Sequence, residues 1–455
     1  MLPPGTASRR RKNAGRQSDD PAVNDSTTTT FTCDRDRHLF GPGPKRILAL
    51  DGGGVRGAIT VAFLEKIEQV FAEHYGKEVR LGDHFDLVGG TSTGAIIAGA
   101  LALGFSATQV KEFYTKLAPM AFKRQKWSIP IFQAKFDVRG LRAEIEKIIG
   151  GLELQSEKLI TGLCVVTKRI DTGSPWILAN NPKAPYWEDG PSHDGNKRYK
   201  LATLVRASTA APHFFDPELI PINSRKAQLP QETAAPLDKP MIARFAHAIL
   251  ERLRLRSKEV PDTKDYGLFI DGGVTPHNNP SFALLQMTML KPFRLCWPLG
   301  PDKLSVTSIG TGTFRPRLSY RELGVTRFAQ LAYHALMSLM TDAEILVLAQ
   351  MQWLGESPAP WVINSEIGTL ADDSPPGGKM FRFVRYDVRL EQEWLKRLGV
   401  TVADRDLARY RGMDDPTVVE AIYKIAQKAA EEQVKPEHFF PKAQAATAGG
   451  AVSAA

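Results

Sequence analysis

Between Phe85 and Ala100 the chain reads Phe-Asp-Leu-Val-Gly-Gly-Thr-Ser-Thr-Gly-Ala-Ile-Ile-Ala-Gly-Ala. Its first five residues are short, apolar and β-prone, the pattern of a buried strand. From Ala95 the side chains are small or apolar with no breaker until Gly99, which predicts a helix. Between the two lies Gly90-Thr91-Ser92-Thr93-Gly94, a match to G-x-S-x-G. Strand, pentapeptide and helix together predict a nucleophile elbow. In such a turn the Ser is held in a strained backbone conformation, its hydroxyl standing clear at the positive end of the helix. Gly90 and Gly94 are required because a Cβ at either place would collide with the neighbouring strand or helix.

A second glycine turn precedes the first. Arg46-Ile47-Leu48-Ala49-Leu50 reads as a buried strand of the parallel type and runs into Asp51-Gly52-Gly53-Gly54-Val55-Arg56-Gly57. A helix follows, with Ile59, Phe63, Ile67, Val70 and Phe71 at helical spacing. Strand, glycine loop and helix make an anion cradle of unblocked backbone N–H groups. Two chemistries fit it. Gly52-x-Gly54-x-x-Gly57 satisfies the dinucleotide fingerprint, which also wants a ribose-binding acid about twenty residues on, at the end of a second strand. At that distance stand Glu73, Lys77 and Glu78, in or just past the helix. The other role is an oxyanion hole, whose donors are preorganised N–H groups within reach of a tetrahedral oxyanion. An elbow serine needs such a loop, and the oxyanion reading is the stronger.

The serine also needs a base. A triad would take an acid and a His downstream of Ser92. His193, His213, His277, His334 and His438 lie in that direction, none in a context that marks it, although His277 is close in sequence to Asp271. Leu268-Phe269-Ile270-Asp271-Gly272-Gly273-Val274 reads as a strand releasing its acid into a glycine turn. The polar turn Pro276-His277-Asn278-Asn279-Pro280 follows, with nothing to gain from burial unless it lines a site. The alternative to a triad is a dyad in which Asp271 itself takes the Ser92 proton. A carboxylate is a weaker base than imidazole, so this requires a poorly solvated pocket that raises its pKa.

The 455 residues suit one large α/β domain with additions, or two domains, and no apolar run reaches membrane-spanning length. Residues 1–44 are polar and aperiodic and are expected to be a disordered tail; Arg9 to Lys12 lack the apolar stretch of a secretory signal. Cys33, Cys164 and Cys296 form neither a disulfide framework nor a metal cluster, which suits a reducing cytoplasm. The net charge of +9 hints at an anionic partner, nucleic acid or a phospholipid surface. Ser106 is the expected N-cap of a helix over 107–117, and 141–149 is a helix ended by Gly150-Gly151. The cationic and apolar run 123–132 reads as a surface or docking loop. Strands are predicted over 163–170 and 176–180. Leu201 to Pro212 is a small-residue helix whose simplest role is packing. An insertion from about 222 to 264 carries a basic amphipathic helix around Ile242 to Leu253, suited to covering a core or lying on an anionic membrane. Further on, 304–310 and 381–390 read as strands and 416–432 as a final helix. The segment 325–354 reads as helical, broken at Thr341 where Thr341 to Glu344 forms a capping box. The Ala/Gly-rich end, 441–455, is expected to be disordered.

In this order, Asp51-Gly-Gly-Gly-Val-Arg-Gly57, Gly90-Thr-Ser-Thr-Gly94 and Asp271-Gly-Gly273 resemble the three signatures of patatin-like phospholipases. Arg206-Ala-Ser-Thr-Ala-Ala-Pro212 with Phe214-Phe215 resembles a stretch those proteins carry before the Asp strand. The likeness covers about Arg46 to Leu285. It implies a three-layer α/β/α fold on a mostly parallel central sheet, with a catalytic domain over 45–285 and 286–440 as an extension packed on that core. It implies a Ser–Asp dyad lipid acyl hydrolase of phospholipase A type. Ser92 carries over as nucleophile, Asp271 as base, and Gly52, Gly53 and Gly54 as oxyanion-hole amides with Arg56 as supporting charge. Gly90, Gly94, Gly272 and Gly273 shape the turns. No metal or cofactor is implied and no nucleic-acid partner is expected. The expected partner is a phospholipid membrane surface, met peripherally at the inner face from the cytoplasm. Some bacterial members are defence effectors that stay idle until a cyclic nucleotide binds, so a nucleotide activator is the second expected partner. A non-hydrolytic nucleotide-binding module, resting on Gly52 to Gly57 alone, is the remaining alternative.

Overall fold

The computed structural model describes residues 31–121, 138–212, 214–224, 265–315 and 328–441. The expected tail over 1–30 and the C-terminal tail from 442, the docking loop 123–132 and the basic helix Ile242 to Leu253 all lie outside these residues.

Order begins earlier than the composition suggested. Instead of a tail running to 44, helix α1 (Asp34–Phe40) packs Leu39 into the core at 1% exposure. Two aspartates in its first turn and Arg37 and His38 in its last complement the helix dipole. Strand β1 (Lys45–Leu50) then enters the sheet, followed by α2 (Gly57–Tyr75) and β2 (Leu87–Thr91). β2 extends through Gly90 and Thr91, so the turn after it is tighter than the sequence implied. Next come α3 (Thr93–Ala102), α4 (Ala107–Ala121) and α5 (Val138–Ile149). Ser106 caps α4 as expected: Ser106 Oγ accepts the Gln109 N–H and Gln109 Oε1 accepts the Ser106 N–H, a reciprocal capping box. β3 (Gly162–Arg169) and β4 (Ser174–Ala179) form a hairpin, followed by α6 (Leu201–Ser208), β5 (Glu218–Pro221) and β6 (Tyr266–Asp271).

Residues 286–440 do more than pack on a finished core. After α7 (Ser281–Met289), β7 (Leu304–Ile309) pairs in parallel with the whole of β1. α8 (Phe328–Leu354) is one unbroken helix of 27 residues, with no stop at Thr341. Within it, Glu344 accepts from Asn278 of another element. β8 (Gly355–Glu356) and β9 (Phe381–Tyr386) complete the sheet, and α9 (Gln392–Arg397), α10 (Asp404–Tyr410) and α11 (Val419–Gln433) close the described chain.

The sheet runs β5-β6-β3-β2-β1-β7-β9-β8, with β4 paired to β3. From β3 to β8 neighbours are parallel, whereas β4, β5 and β6 join antiparallel. Strand side chains alternate between two cores, as a period of two demands. Leu48 and Leu50 join Phe63, Ile97 and Val205 on one face, while Ile47 and Ala49 join Leu284, Val347 and Met351 on the other. This is the three-layer α/β/α architecture with a mostly parallel sheet.

One detail of register positions the site. β4 occupies one edge of β3 along residues 164–169, leaving a single edge for both β2 and β6. β2 takes the first half, ending with Thr91 opposite Val166, and antiparallel β6 takes the second, ending with Asp271 opposite Thr167. The C-terminal ends of β2 and β6 therefore meet head to head.

Candidate active site

Ser92 is the single residue between β2 and α3, and its backbone sits at φ 53°, ψ −123°. A positive φ on a residue with a Cβ is strained and persists only where the surroundings impose it. Here they do. A Cβ at Gly90 would stand 2.1 Å from the carbonyl of Gly94, and one at Gly94 would stand 2.2 Å from the carbonyl oxygen of Leu50. Only glycines let the strand, the turn and the end of β1 approach so closely. The Ser92 N–H donates to Ser208 Oγ at 2.8 Å, and that hydroxyl donates to the Val166 carbonyl at 2.6 Å.

The Ser92 hydroxyl donates to Asp271 Oδ2 at 2.6 Å. Asp271 is 5% exposed; its Oδ1 accepts the Gly273 N–H at 2.7 Å. Gly272 packs on β3, where a Cβ would come within 2.4 Å of the Val166 carbonyl. Burial pushes the Asp271 carboxyl up to about 6, while the hydrogen bonds from Ser92 and Gly273 and the charge of Arg206 pull the other way. Arg206, on α6, is 2% exposed; its Nη2 donates to the Asp216 carbonyl at 2.9 Å and its guanidinium lies over the Phe215 ring. His277 is not joined to the pair: burial lowers its pKa, and among the described residues no hydrogen bond joins its ring to Ser92 or Asp271. What it contributes is its carbonyl, which accepts the Thr91 hydroxyl at 2.7 Å. His438 is engaged with the Tyr386 hydroxyl.

The glycine loop leaves β1 beside the elbow, because Leu50 is in register with Gly90. Its peptides are held from several elements. The Gly52 N–H donates to the Asn278 carbonyl at 3.2 Å, and the Gly52 carbonyl accepts from Thr311 Oγ1 at 2.8 Å and Asn278 Nδ2 at 3.4 Å. Gly54 sits at φ +59°, with the Met413 carbonyl where a Cβ would be; its own carbonyl accepts from Thr93 Oγ1 and Tyr114 OH. One expectation is corrected here. The Gly52 amide is committed to Asn278 and is not a free donor, whereas among the described residues no acceptor takes the Gly53 or Gly54 N–H. Both glycines line the same cavity as Ser92. Arg56 is buried, and its Nη1 donates to the Gly312 carbonyl at 2.9 Å, bracing the loop against the segment after β7.

Asp51, at the start of the loop, forms a bidentate pair with Arg385 of β9, at 3.0 and 2.6 Å. Arg385 also donates to Asp387 and Ser308, both at 2.8 Å. Burial works against charge on Arg385, but the carboxylates of Asp51, Asp387 and Glu344 outweigh it and raise its pKa. The dinucleotide fingerprint finds no support, since the second strand delivers Ser92 where that fold needs an acid.

Above the dyad lies a cavity of about 190 Å³ with mostly apolar walls, among them Ile96, Leu117, Leu141, Phe214, Met340 and Met413. A buried carboxylate against a strained serine, two open amides and an apolar slot can perform acyl transfer on an ester with a hydrophobic acyl group. The profile of the Patatin-like phospholipase family matches residues 48–285, more than half of the chain.

The chain belongs to the patatin-like phospholipase family. Among curated relatives of this patatin-like chain is the cGAMP-activated phospholipase of Vibrio cholerae serotype O1. It is 32% identical over 183 residues, covering 38% of this chain and 49% of that protein. A cUMP-AMP-activated phospholipase of Escherichia coli is 46% identical over 74 residues, covering 16% and 21%. Patatin-like protein 2 of Arabidopsis thaliana is 35% identical over 102 residues, covering 21% and 25%. The chain spans about half the length, or less, of these relatives. Much of the patatin-like site lies outside the family-matched segment: Thr311, Met340, Glu344, Arg385 and Met413 all come from beyond residue 285.

Proposed function

We propose that this chain is a serine lipid acyl hydrolase of phospholipase A type, working through a Ser92–Asp271 dyad. The observation that carries the reading is the 2.6 Å hydrogen bond from a strained Ser92 to a buried Asp271 at the foot of an apolar cavity. Asp271, with its pKa near 6, is ionised at neutral pH yet basic enough to take a hydroxyl proton as Ser92 attacks. Ser92 Oγ bonds to the ester carbonyl carbon, and the Gly53 and Gly54 amides receive the oxyanion. The positive end of α3 adds to that field. As the carbonyl re-forms, the ester C–O bond breaks and the alcohol leaves with the proton held by Asp271. Water then attacks the acyl-enzyme, giving its proton to Asp271, which returns it to Ser92 Oγ as the acyl C–O bond breaks and the fatty acid leaves. No metal or cofactor enters this scheme.

The apolar walls suit an acyl chain. Substrate of that kind sits in a membrane, so the expected setting is peripheral contact with a phospholipid surface on the cytoplasmic side. Among the described residues no helix is long and apolar enough to cross a membrane. A second reading, favoured by the names of the relatives, is that a cyclic nucleotide switches the hydrolase on. Purified protein on mixed phospholipid vesicles, with and without cyclic dinucleotides, tests both through released fatty acid. Release without nucleotide supports the first reading alone, and release only with nucleotide supports the second. No release in either arm, with no labelling of Ser92 by a fluorophosphonate, overturns both.

A further inference from the structure

Glu344 lies near the middle of α8, one helical turn after Met340, whose side chain lines the cavity above Ser92. A carboxylate on this helix has no part in the proton transfers of ester hydrolysis. Yet its Oε1 accepts from Nδ2 of Asn278; burial raises the pKa of its carboxyl, while the charge of Arg385 and that hydrogen bond pull the other way. Asn278 is itself 5% exposed and forms part of the cavity wall. Its carboxamide lies between the two halves of the site. Asn278 Oδ1 stands where a Cβ on Gly52 or Gly273 would be, at 2.5 and 3.0 Å. Its Nδ2 and its carbonyl hold the Gly52 peptide at both ends.

An amide side chain has two faces of similar shape and opposite polarity, so what decides its orientation is the partner of its NH2 group. Here the accepting oxygens of Glu344 and of the Gly52 carbonyl fix the NH2 between them. We propose, resting on the hydrolase reading above, that Glu344 is a positioning residue. Through Asn278 it holds the Gly52 peptide so that the Gly53 and Gly54 amides face the oxyanion. Without that acceptor the carboxamide is free to turn, Gly52 loses one clamp, and the two open amides drift from their aim. Oxyanion donors act only when preorganised, and displacement by about 1 Å costs on the order of a hundredfold in rate.

The test uses the full chain and four variants: Glu344→Ala, Glu344→Gln, Asn278→Ala and the double alanine variant. kcat and KM are measured on a short soluble ester, together with the rate of Ser92 labelling by a fluorophosphonate and the thermal midpoint. The expected result for Glu344→Ala is a fall in kcat of about ten- to a hundredfold with KM within about twofold, and parallel slowing of labelling. Glu344→Gln keeps an acceptor oxygen and should recover most of the loss. Asn278→Ala should lose as much as Glu344→Ala, and the double variant no more than either, because both act through one contact. The proposal is overturned if kcat in Glu344→Ala is unchanged, if the loss lies in KM, if Gln fails to rescue while the thermal midpoint holds, or if the two alanine effects add. A wild-type chain that is not labelled at all overturns the hydrolase reading, and this proposal with it. A labelled wild type with an equally labelled Glu344→Ala overturns only the proposal.

Discussion

Ser208 carries the backbone of Ser92: its hydroxyl accepts the Ser92 N–H at 2.8 Å and donates to the Val166 carbonyl. The pair ties the elbow to α6 and β3, and Ser208 is fully buried. Ser208→Ala leaves a buried N–H and a buried carbonyl each short of a partner, a loss of about 1–3 kcal/mol for such a group. The expected outcome is a lower thermal midpoint and a kcat at least about tenfold lower, as the turn relaxes from its positive φ. A variant with wild-type kcat would show that the elbow holds its shape without Ser208.

In the proposed dyad Asp271 takes a proton only when ionised, so activity should rise with pH through an acid limb near its raised pKa of about 6. The charge of Arg206 lowers that pKa. Arg206→Met should therefore move the limb in kcat/KM to higher pH, and Arg206→Lys should move it back. A shift to lower pH in the Met variant would contradict this electrostatic role.

The same shift has a stability sign. The folded-state pKa of Asp271 is raised above the ordinary carboxyl value of 3.8 to about 6, so between those values the native state binds the proton more tightly than the unfolded chain. Stability therefore falls as pH rises through that window, and the cost is complete above it. Each unit is worth about 1.4 kcal/mol, which sets roughly 3 kcal/mol as a ceiling. Asp271→Asn should be inactive yet more stable than wild type at pH 7, with the gain shrinking towards pH 4. Paired denaturation curves at the two pH values check it, and equal stabilities at pH 7 would count against the burial argument.

Removing Arg385 isolates two buried carboxylates, Asp51 and Asp387. Breaking such a pair from one side typically costs about 3–5 kcal/mol. Arg385→Met should lower the denaturation midpoint by that order, while Arg385→Lys, which cannot bridge Asp51 with two N–H groups, recovers only part. An Arg385→Met chain as stable as wild type would mean that the network is dispensable.

How much of this was legible depended on how local each constraint is. The elbow and the glycine loop could be read because a tight turn dictates residue types within a few positions, as Gly90, Ser92 and Gly94 show. The alternation of Leu48 and Leu50 with Ile47 and Ala49 was lost in a run of apolar residues, yet that run itself marked a strand buried on both faces. Asp271 and the polar turn through Asn278 could be suspected, since neither had reason to be buried without a site. Ser208 gave no signal: a serine among alanines looks like packing, and only the fold brings it under Ser92. Arg385 and Asp51 are 334 residues apart, beyond any pattern. Thr341 to Glu344 misled because a capping box and a mid-helix stretch share a sequence.

The head-to-head ends of β2 and β6 on one edge of β3 bear on how the molecule comes together. Ser92 and Asp271 are 179 residues apart, and neither strand touches the other along its length. Each must find β3 separately, and contacts so distant in the chain come at the expense of closing long loops first. The charge on Asp271 is thus sealed from water only after both strands have docked. An incompletely folded chain should present Ser92 without Asp271, so the proposed dyad stays unassembled until its last seam closes.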